Sequence, residues 1–475
     1  MLKRYTIIRT ALFAGLIPLL ISCDQFLGIR PKGALYPETL ADYEALLNNN
    51  NLKKSTDPYP LFLTDDVYFV SEPAAKGAPY LAGQDEYIRR VYLFASGDIF
   101  DDSKDDIFWK GNYGNIYRYN VLISSVPHAT DCTEEERKAL IAEARLGRAF
   151  EYLGLVNTYA APYDPKTAEK SPGVPLVLTP DIDVPPLSRA SVQKCYEFIL
   201  SEIEEALKDL PDTPKGTVFR ASKAAGQGLL ARTLLWMGDY KGALEAANAA
   251  ISLHSEMDDL NKYRVVNEKK QIGRSNVPDQ YSRKDHIWLR TLPYVYGVSK
   301  RVYASKSLLS IFDLEKDARI RLFFSNTHFG TPLNTPDTYI YMAFVYDNIG
   351  IGSPEMYLTA AECEARIGSA ERACTLLNEV RRHRISDVQP LALTDREEVM
   401  REVLLERRRE FAMKGFLRFV DLRRLNHEGK YLTEVSHEAL DGTIVKLSPN
   451  DPRYTMPIPK KVIRINAGSL EQLPR

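Results

Sequence analysis

The sequence predicts a mostly α-helical protein: a scaffold of antiparallel helical pairs, with long irregular insertions carrying short β-strands. Three observations predict it. Small and apolar residues recur at helical spacing through most of the 475 residues. One small-residue pattern occurs twice around a glycine. Two stretches, about 55–107 and 256–352, break the periodicity and are rich in Tyr, Pro, Gly and Asp.

The chain opens with Lys3, Arg4 and Arg9, then an apolar run from Ala11 to Ile21, then Ser22 and Cys23. A basic start, a short apolar run and a small residue make 1–22 a secretory signal peptide. The run is about half the ~20 residues that a bilayer-spanning helix needs. Leu20-Ile21-Ser22-Cys23 resembles a bacterial lipobox, which implies a lipidated Cys23 as the first mature residue and a lipid-anchored envelope protein. The mature chain, 23–475, reads as a single domain.

Next come the helices. Leu140, Ala144, Ala149, Tyr152 and Leu155 form one stripe over Glu134–Tyr159, with acidic residues early, where they suit the helix dipole. Cys195, Ile199, Ile203 and Leu207 mark a second helix over 191–210, with Ser191 as its N-cap. Ala231, Gly238 and Ala243 lie on two helices joined at the glycine, and Ala361, Gly368 and Ala373 repeat the spacing. Small residues let paired helices approach closely, and this resembles the tetratricopeptide helical pair. The copies are not adjacent in sequence, so a long insertion must separate them. A last helix over 397–413 carries Glu406, Arg407, Arg408, Arg409 and Glu410, read as a solvated or salt-bridged face.

Composition narrows the function. Hydrophobic residues make up 44% and charged residues 26%, ordinary for a globular protein. A net charge of -1 gives no footing for nucleic acid. Cys132, Cys195, Cys363 and Cys374 form no C-x-x-C pair, and the seven histidines form no H-E-x-x-H. Cys363 and Cys374 read as small buried hydrophobes. Neither a P-loop nor G-x-S-x-G is present. The acidic group Asp98, Asp101, Asp102, Asp105 and Asp106 lacks calcium-loop spacing and reads as a loop and helix start. No metal or cofactor is expected, and a hydrolase ranks a distant third behind two binding functions. Tyrosine is abundant, 27 residues against 3 Trp, and tyrosine in loops suits polar ligands. Trp109 and Trp236 read as packing residues, and Trp288 remains open.

The order of motifs is similar to the SusD/RagB family of outer-membrane lipoproteins of Bacteroidetes. The resemblance rests on Cys23-Asp24-Gln25-Phe26-Leu27 with Pro31, and on Glu143-Ala144-Arg145-Leu146-Gly147-Arg148-Ala149-Phe150 leading to Asn157-Thr158-Tyr159. It continues through the helical pair of 357–382, then Glu406 to Phe411, Arg418-Phe419 and Asp421-Leu422-Arg423-Arg424, and ends at Pro457-Ile458-Pro459 and Leu473-Pro474. Phe419 stands where Trp is common. The resemblance implies a non-catalytic, surface-exposed lipoprotein that captures oligosaccharide or, alternatively, peptide. It would act as the lid of a SusC-like TonB-dependent transporter, with the helical face on the barrel and the insertions toward the ligand. In this family acidic residues such as Asp24 beside the lipid cysteine accompany surface export. Candidate ligand residues are Asp66, Tyr68, Phe69, Tyr80, Tyr87 and Arg89 in the first insertion, and Arg283, Tyr294 and Tyr296 in the second.

Overall fold

The computed structural model describes residues 37–54, 59–181, 186–270, 273–291, 302–342 and 348–475. Cys23, Tyr294 and Tyr296 lie outside them. Among the described residues nine helices have twelve residues or more: α1 (Ile107–Ser125), α2 (Glu134–Tyr159), α3 (Val192–Asp209), α4 (Lys223–Met237), α5 (Tyr240–Leu253), α6 (Ser353–Ile367), α7 (Ala370–Arg382), α8 (Arg396–Phe411) and α9 (Leu417–Glu428). Mostly helical architecture with only small antiparallel sheets is therefore the observed fold.

Local chemistry sets the helix ends. Thr133 and Glu136 form a capping box at the start of α2, and Ser191 caps α3 by accepting from Lys194 N–H. The predicted stripe of α2, from Leu140 to Leu155, is fully buried. Gly238 ends α4 in the left-handed region, at φ 82°, where a side chain would be strained. Gly368 ends α6 with φ at -116°, so its reason is different. A Cβ there would strike the Glu364 carboxylate, which turns back to accept from Ser369 N–H (3.0 Å).

Neighbouring helices pack in chain order from α1 to α7, and α8 also lies against α6. The two copies of the repeat are thus adjacent in space: α5 packs on α6 although about a hundred residues separate them in sequence. The second insertion leaves the array after α5 and rejoins it at α6. Ala231, Ala243, Ala361 and Ala373 are all fully buried. A bidentate ion pair from Arg232 of α4 to Glu355 of α6 (2.7 and 2.6 Å) ties the two copies together.

The insertions hold the short strands. β1 (Val67–Tyr68), β3 (Tyr303–Ala304), β7 (Ile340–Tyr341) and β4 (Phe324–Ser325) form one antiparallel sheet in the order β1-β3-β7-β4. β2 (His286–Trp288) pairs with β8 (Ile351–Gly352) at the root of the second insertion, and β5 (Thr327–His328) with β6 (Thr331–Pro332) as a hairpin. β9 (Val435–Glu438) and β10 (Ile444–Leu447) make a second hairpin after α9. Trp109, Trp236 and Trp288 are all buried. Trp288, open from the sequence, is a packing residue whose indole N–H donates to Phe219 O (3.1 Å). Cys195, Cys363 and Cys374 are buried free thiols.

The charged run of α8 anchors the insertions. Arg408 reaches Asp66 (2.8 Å) and Ser307 (3.1 Å), one residue from each insertion. Glu406 and Glu410 hold Arg319 (2.7 and 3.1 Å), and Glu410 also holds Arg384 (3.0 Å). Arg407 turns the other way, to Asp421 of α9 (3.2 Å) and Glu362 of α6 (3.4 Å). This face is salt-bridged, as the charge pattern suggested, but Glu406, Arg407, Arg408 and Glu410 are buried.

Candidate ligand-binding surface

The two insertions meet at β1 and β3. Val67 lies opposite Ala304 and Tyr68 opposite Tyr303. Beside this pairing sits a small apolar cluster drawn from both insertions: Val70, Ala74 and Ala78 from the first, Tyr303, Ile340 and Met342 from the second. Tyr68 and Tyr80 pack on its edge, both half-buried. Burial, then the nearby Glu438 carboxylate, raises the Tyr68 phenol pKa, so the hydroxyl stays protonated and can donate. Tyr303 is buried, and burial pushes its pKa up to about 12, partly offset by a hydrogen bond from the Ala74 backbone. Two half-exposed tyrosine rings over an apolar floor can cover the face of a ring-shaped polar ligand while their hydroxyls reach its edge.

The hairpin β5–β6 extends this surface, and its tip was not singled out from the sequence. Phe329, 39% exposed, sits at φ 50° before Gly330 and meets the His328 ring edge-to-face at 4.7 Å. One His328 ring nitrogen lies 3.3 Å from Lys76 O, so the tip touches the first insertion. Thr327-His328-Phe329-Gly330-Thr331 is the available signal: a glycine turn between short β-type runs.

The other candidates are placed elsewhere. Asp66 is fully buried beneath the surface, with Arg408 as its ion-pair partner. Burial raises the Asp66 pKa, partly offset by Arg408. Phe69 is core, stacked on Phe62 and edge-on to Tyr92. Tyr87 stacks on Phe100 (5.2 Å) and meets Tyr59 edge-on. Arg89 donates to Ala82 O and Gln84 O and so braces the loop that Tyr80 begins. Arg283 is buried between Asp258 (2.5 Å) and Asp285 (2.6 Å), away from the tyrosines, where it lines a cavity of about 50 Å³. Burial opposes ionisation of Asp285, but Arg384 and Arg283 overcome it and hold the carboxyl at about 2.

The acidic group before α1 resolves into structural roles. Asp106 caps α1 by accepting from the N–H groups of Phe108 and Trp109, and its other oxygen accepts from the hydroxyls of Tyr59 (2.9 Å) and Tyr159 (2.7 Å). Burial still lifts its pKa to about 6. Asp105 pairs with Lys110 and Lys461, and Asp98 with Lys460. No cluster of three metal-ligating side chains occurs among the described residues, nor a helix long and apolar enough to cross a membrane.

The chain is a helical scaffold with an aromatic surface on braced insertions. Its family is shown by sequence: the chain belongs to the SusD/RagB family, whose members are carbohydrate-binding and non-catalytic. Residues 83–235 match a family described as "Starch-binding associating with outer membrane", and residues 354–475 match the SusD family. Solved structures with the same fold include a SusD superfamily protein from Bacteroides thetaiotaomicron, 21% identical, with a TM-score of 0.69 over 92% of this chain and 100% of that one. A SusD-like carbohydrate binding protein from Bacteroides vulgatus is 16% identical, with a TM-score of 0.65 over 92% and 99%. A laminarin binding SusD-like protein is 18% identical, with a TM-score of 0.62 over 92% and 100%. No curated protein sequence matches the chain significantly.

Proposed function

We propose that this protein is a cell-surface lipoprotein that captures oligosaccharide and closes over a SusC-like TonB-dependent transporter. Family membership supports carbohydrate binding and association with the outer membrane. The observation that carries the ligand reading is the junction of the insertions, where Tyr68 and Tyr80 flank an apolar floor built from both. Tyr294 and Tyr296, from the same second insertion, complete the aromatic set in this reading. Asp66 and Arg283 act from beneath, as the ionic anchors of the two insertions. The anchor at Cys23 holds the protein at the outer leaflet, and the array α1–α7 supplies the regular face that a barrel requires. Standard stable interfaces bury roughly 1,200–2,000 Å² in total, which a helical face of this length can provide. The test is purification of the lipidated protein from native membranes in mild detergent. A TonB-dependent barrel should co-purify in stoichiometric amount, and recovery of the protein alone would overturn the lid role.

A further inference from the structure

Twelve arginines are buried among the described residues, and ten of them hold a carboxylate within ion-pair distance. The exceptions are Arg290 and Arg423. Arg290 lies over the rings of Trp288 (3.8 Å) and Phe219 (4.8 Å), and Arg423 over the Phe419 ring (5.3 Å). Arg423, on α9, lines a cavity of about 200 Å³ together with His427, Asn450, Tyr454 and Thr455.

A guanidinium has five N–H donors. Arg423 uses three of them, on Asn157 O and Ala160 O at the C-terminal end of α2 and on the Thr455 hydroxyl. The helix end offsets about half a charge. Its Nε–H has no partner among the described residues, nor has the Tyr454 hydroxyl on the same cavity wall. Burial without a carboxylate lowers the Arg423 pKa to about 10, still far above neutral, so the cation persists. The one carboxylate on the wall, Asp451, is held by Arg453 (2.9 and 2.7 Å).

A second cavity, of about 130 Å³, shares His427 as a wall and is lined by Tyr163, Trp236 and Tyr240, with Arg424 and with Glu428, whose carboxylate is held by Arg366 (2.5 Å). Together the two reach the lower end of small-molecule sites, roughly 300 Å³. One end is cationic and the other aromatic. We propose that this paired cavity binds a carboxylate-bearing sugar, with the acid toward Arg423 and the neighbouring ring against the aromatic end. It shares no lining residue with the tyrosine surface between the insertions, so the two sites stand or fall separately.

The test is titration calorimetry on the detergent-solubilised full-length protein, using tetragalacturonate, its neutral galactose counterpart and sulfate. The acidic sugar should bind at least about tenfold tighter than the neutral one, the scale of a charge-assisted hydrogen bond. Arg423→Gln, which removes the charge, should abolish that preference, and the solvent-facing His427→Ala should weaken it several-fold; if Arg423→Gln does not fold, His427→Ala decides. Tyr80→Ala should leave binding of the acidic sugar at Arg423 intact. Equal affinity for the two sugars, no binding of the acid, competition by sulfate as strong as by the acid, or a preference untouched by His427→Ala would each overturn the proposal.

Discussion

Replacing Arg408 with Met tests whether α8 holds the insertions in place. The guanidinium bonds Asp66 (2.8 Å), Asp65 O (3.0 Å) and Ser307 (3.1 Å), so its loss removes one tie to each insertion at once. Asp65 keeps Arg418 (2.8 Å), but Asp66 keeps only the more distant attraction of Arg418, and its other oxygen already lacks a hydrogen-bond partner among the described residues. Removing one partner of a buried ion pair costs about 3–5 kcal/mol. Asp66 can escape part of this by taking up a proton, because burial already raises its pKa. The loss should therefore be near 3 kcal/mol at pH 7 and smaller at pH 5. Replacing both partners by uncharged groups, Asp66→Asn with Arg408→Met, should recover about half of it. Denaturant unfolding at the two pH values gives the energies, and hydrogen exchange at Val67–Tyr68 and Tyr303–Ala304 reports the strands. A loss under about 1 kcal/mol, or an equal loss in the double variant, would refute the anchoring role.

Three other outcomes are expected. Glu151 is buried with Asn115 as its hydrogen-bond partner, and burial raises its pKa from 4.5 to about 7. A folded pKa above the unfolded one means that the ionisation penalty is absent below about pH 4.5 and complete above pH 7, so Glu151→Gln should gain on the parent by about 2–3 kcal/mol between pH 5 and pH 8; a pH-independent difference would contradict this. Ala231→Phe and Ala361→Phe should each overpack a fully buried helix contact and cost about 1–3 kcal/mol, read as a lowered Tm. Cys23→Ala should release soluble protein or leave uncleaved precursor, and mass spectrometry of the parent should show an acyl chain on the N-terminal cysteine.

Helices were legible because burial repeats along them. The stripe from Leu140 to Leu155 and the cap at Ser191 could be placed by number, since 3.6-residue periodicity and cap chemistry are local properties. The insertion strands were largely illegible. Most are two residues long, too short for any alternation, and the pairing of Tyr68 with Tyr303 joins residues far apart in sequence. The charge run at 406–410 was visible, but its partners Asp66 and Arg319 were not, because an ion pair across the chain leaves no spacing signal. For the same reason Asp66 and Arg283 looked like ligand residues: a charged side chain in a Tyr-rich loop reads alike whether it meets ligand or a buried partner. Arg423 stood inside a recognisable motif, yet only the structure shows that it lacks a carboxylate.

In the proposed function the junction of the two insertions binds a glycan. Titration calorimetry of the protein against a panel of neutral oligosaccharides and peptides tests it, with Tyr80→Ala, Tyr294→Ala and Tyr296→Ala beside the parent. An oligosaccharide should bind, and at least one variant should lose about 1–3 kcal/mol of affinity, the value of burying a large side chain, with its Tm unchanged. Peptide binding with no oligosaccharide binding, or a bound oligosaccharide that all three variants hold as tightly as the parent, would contradict it.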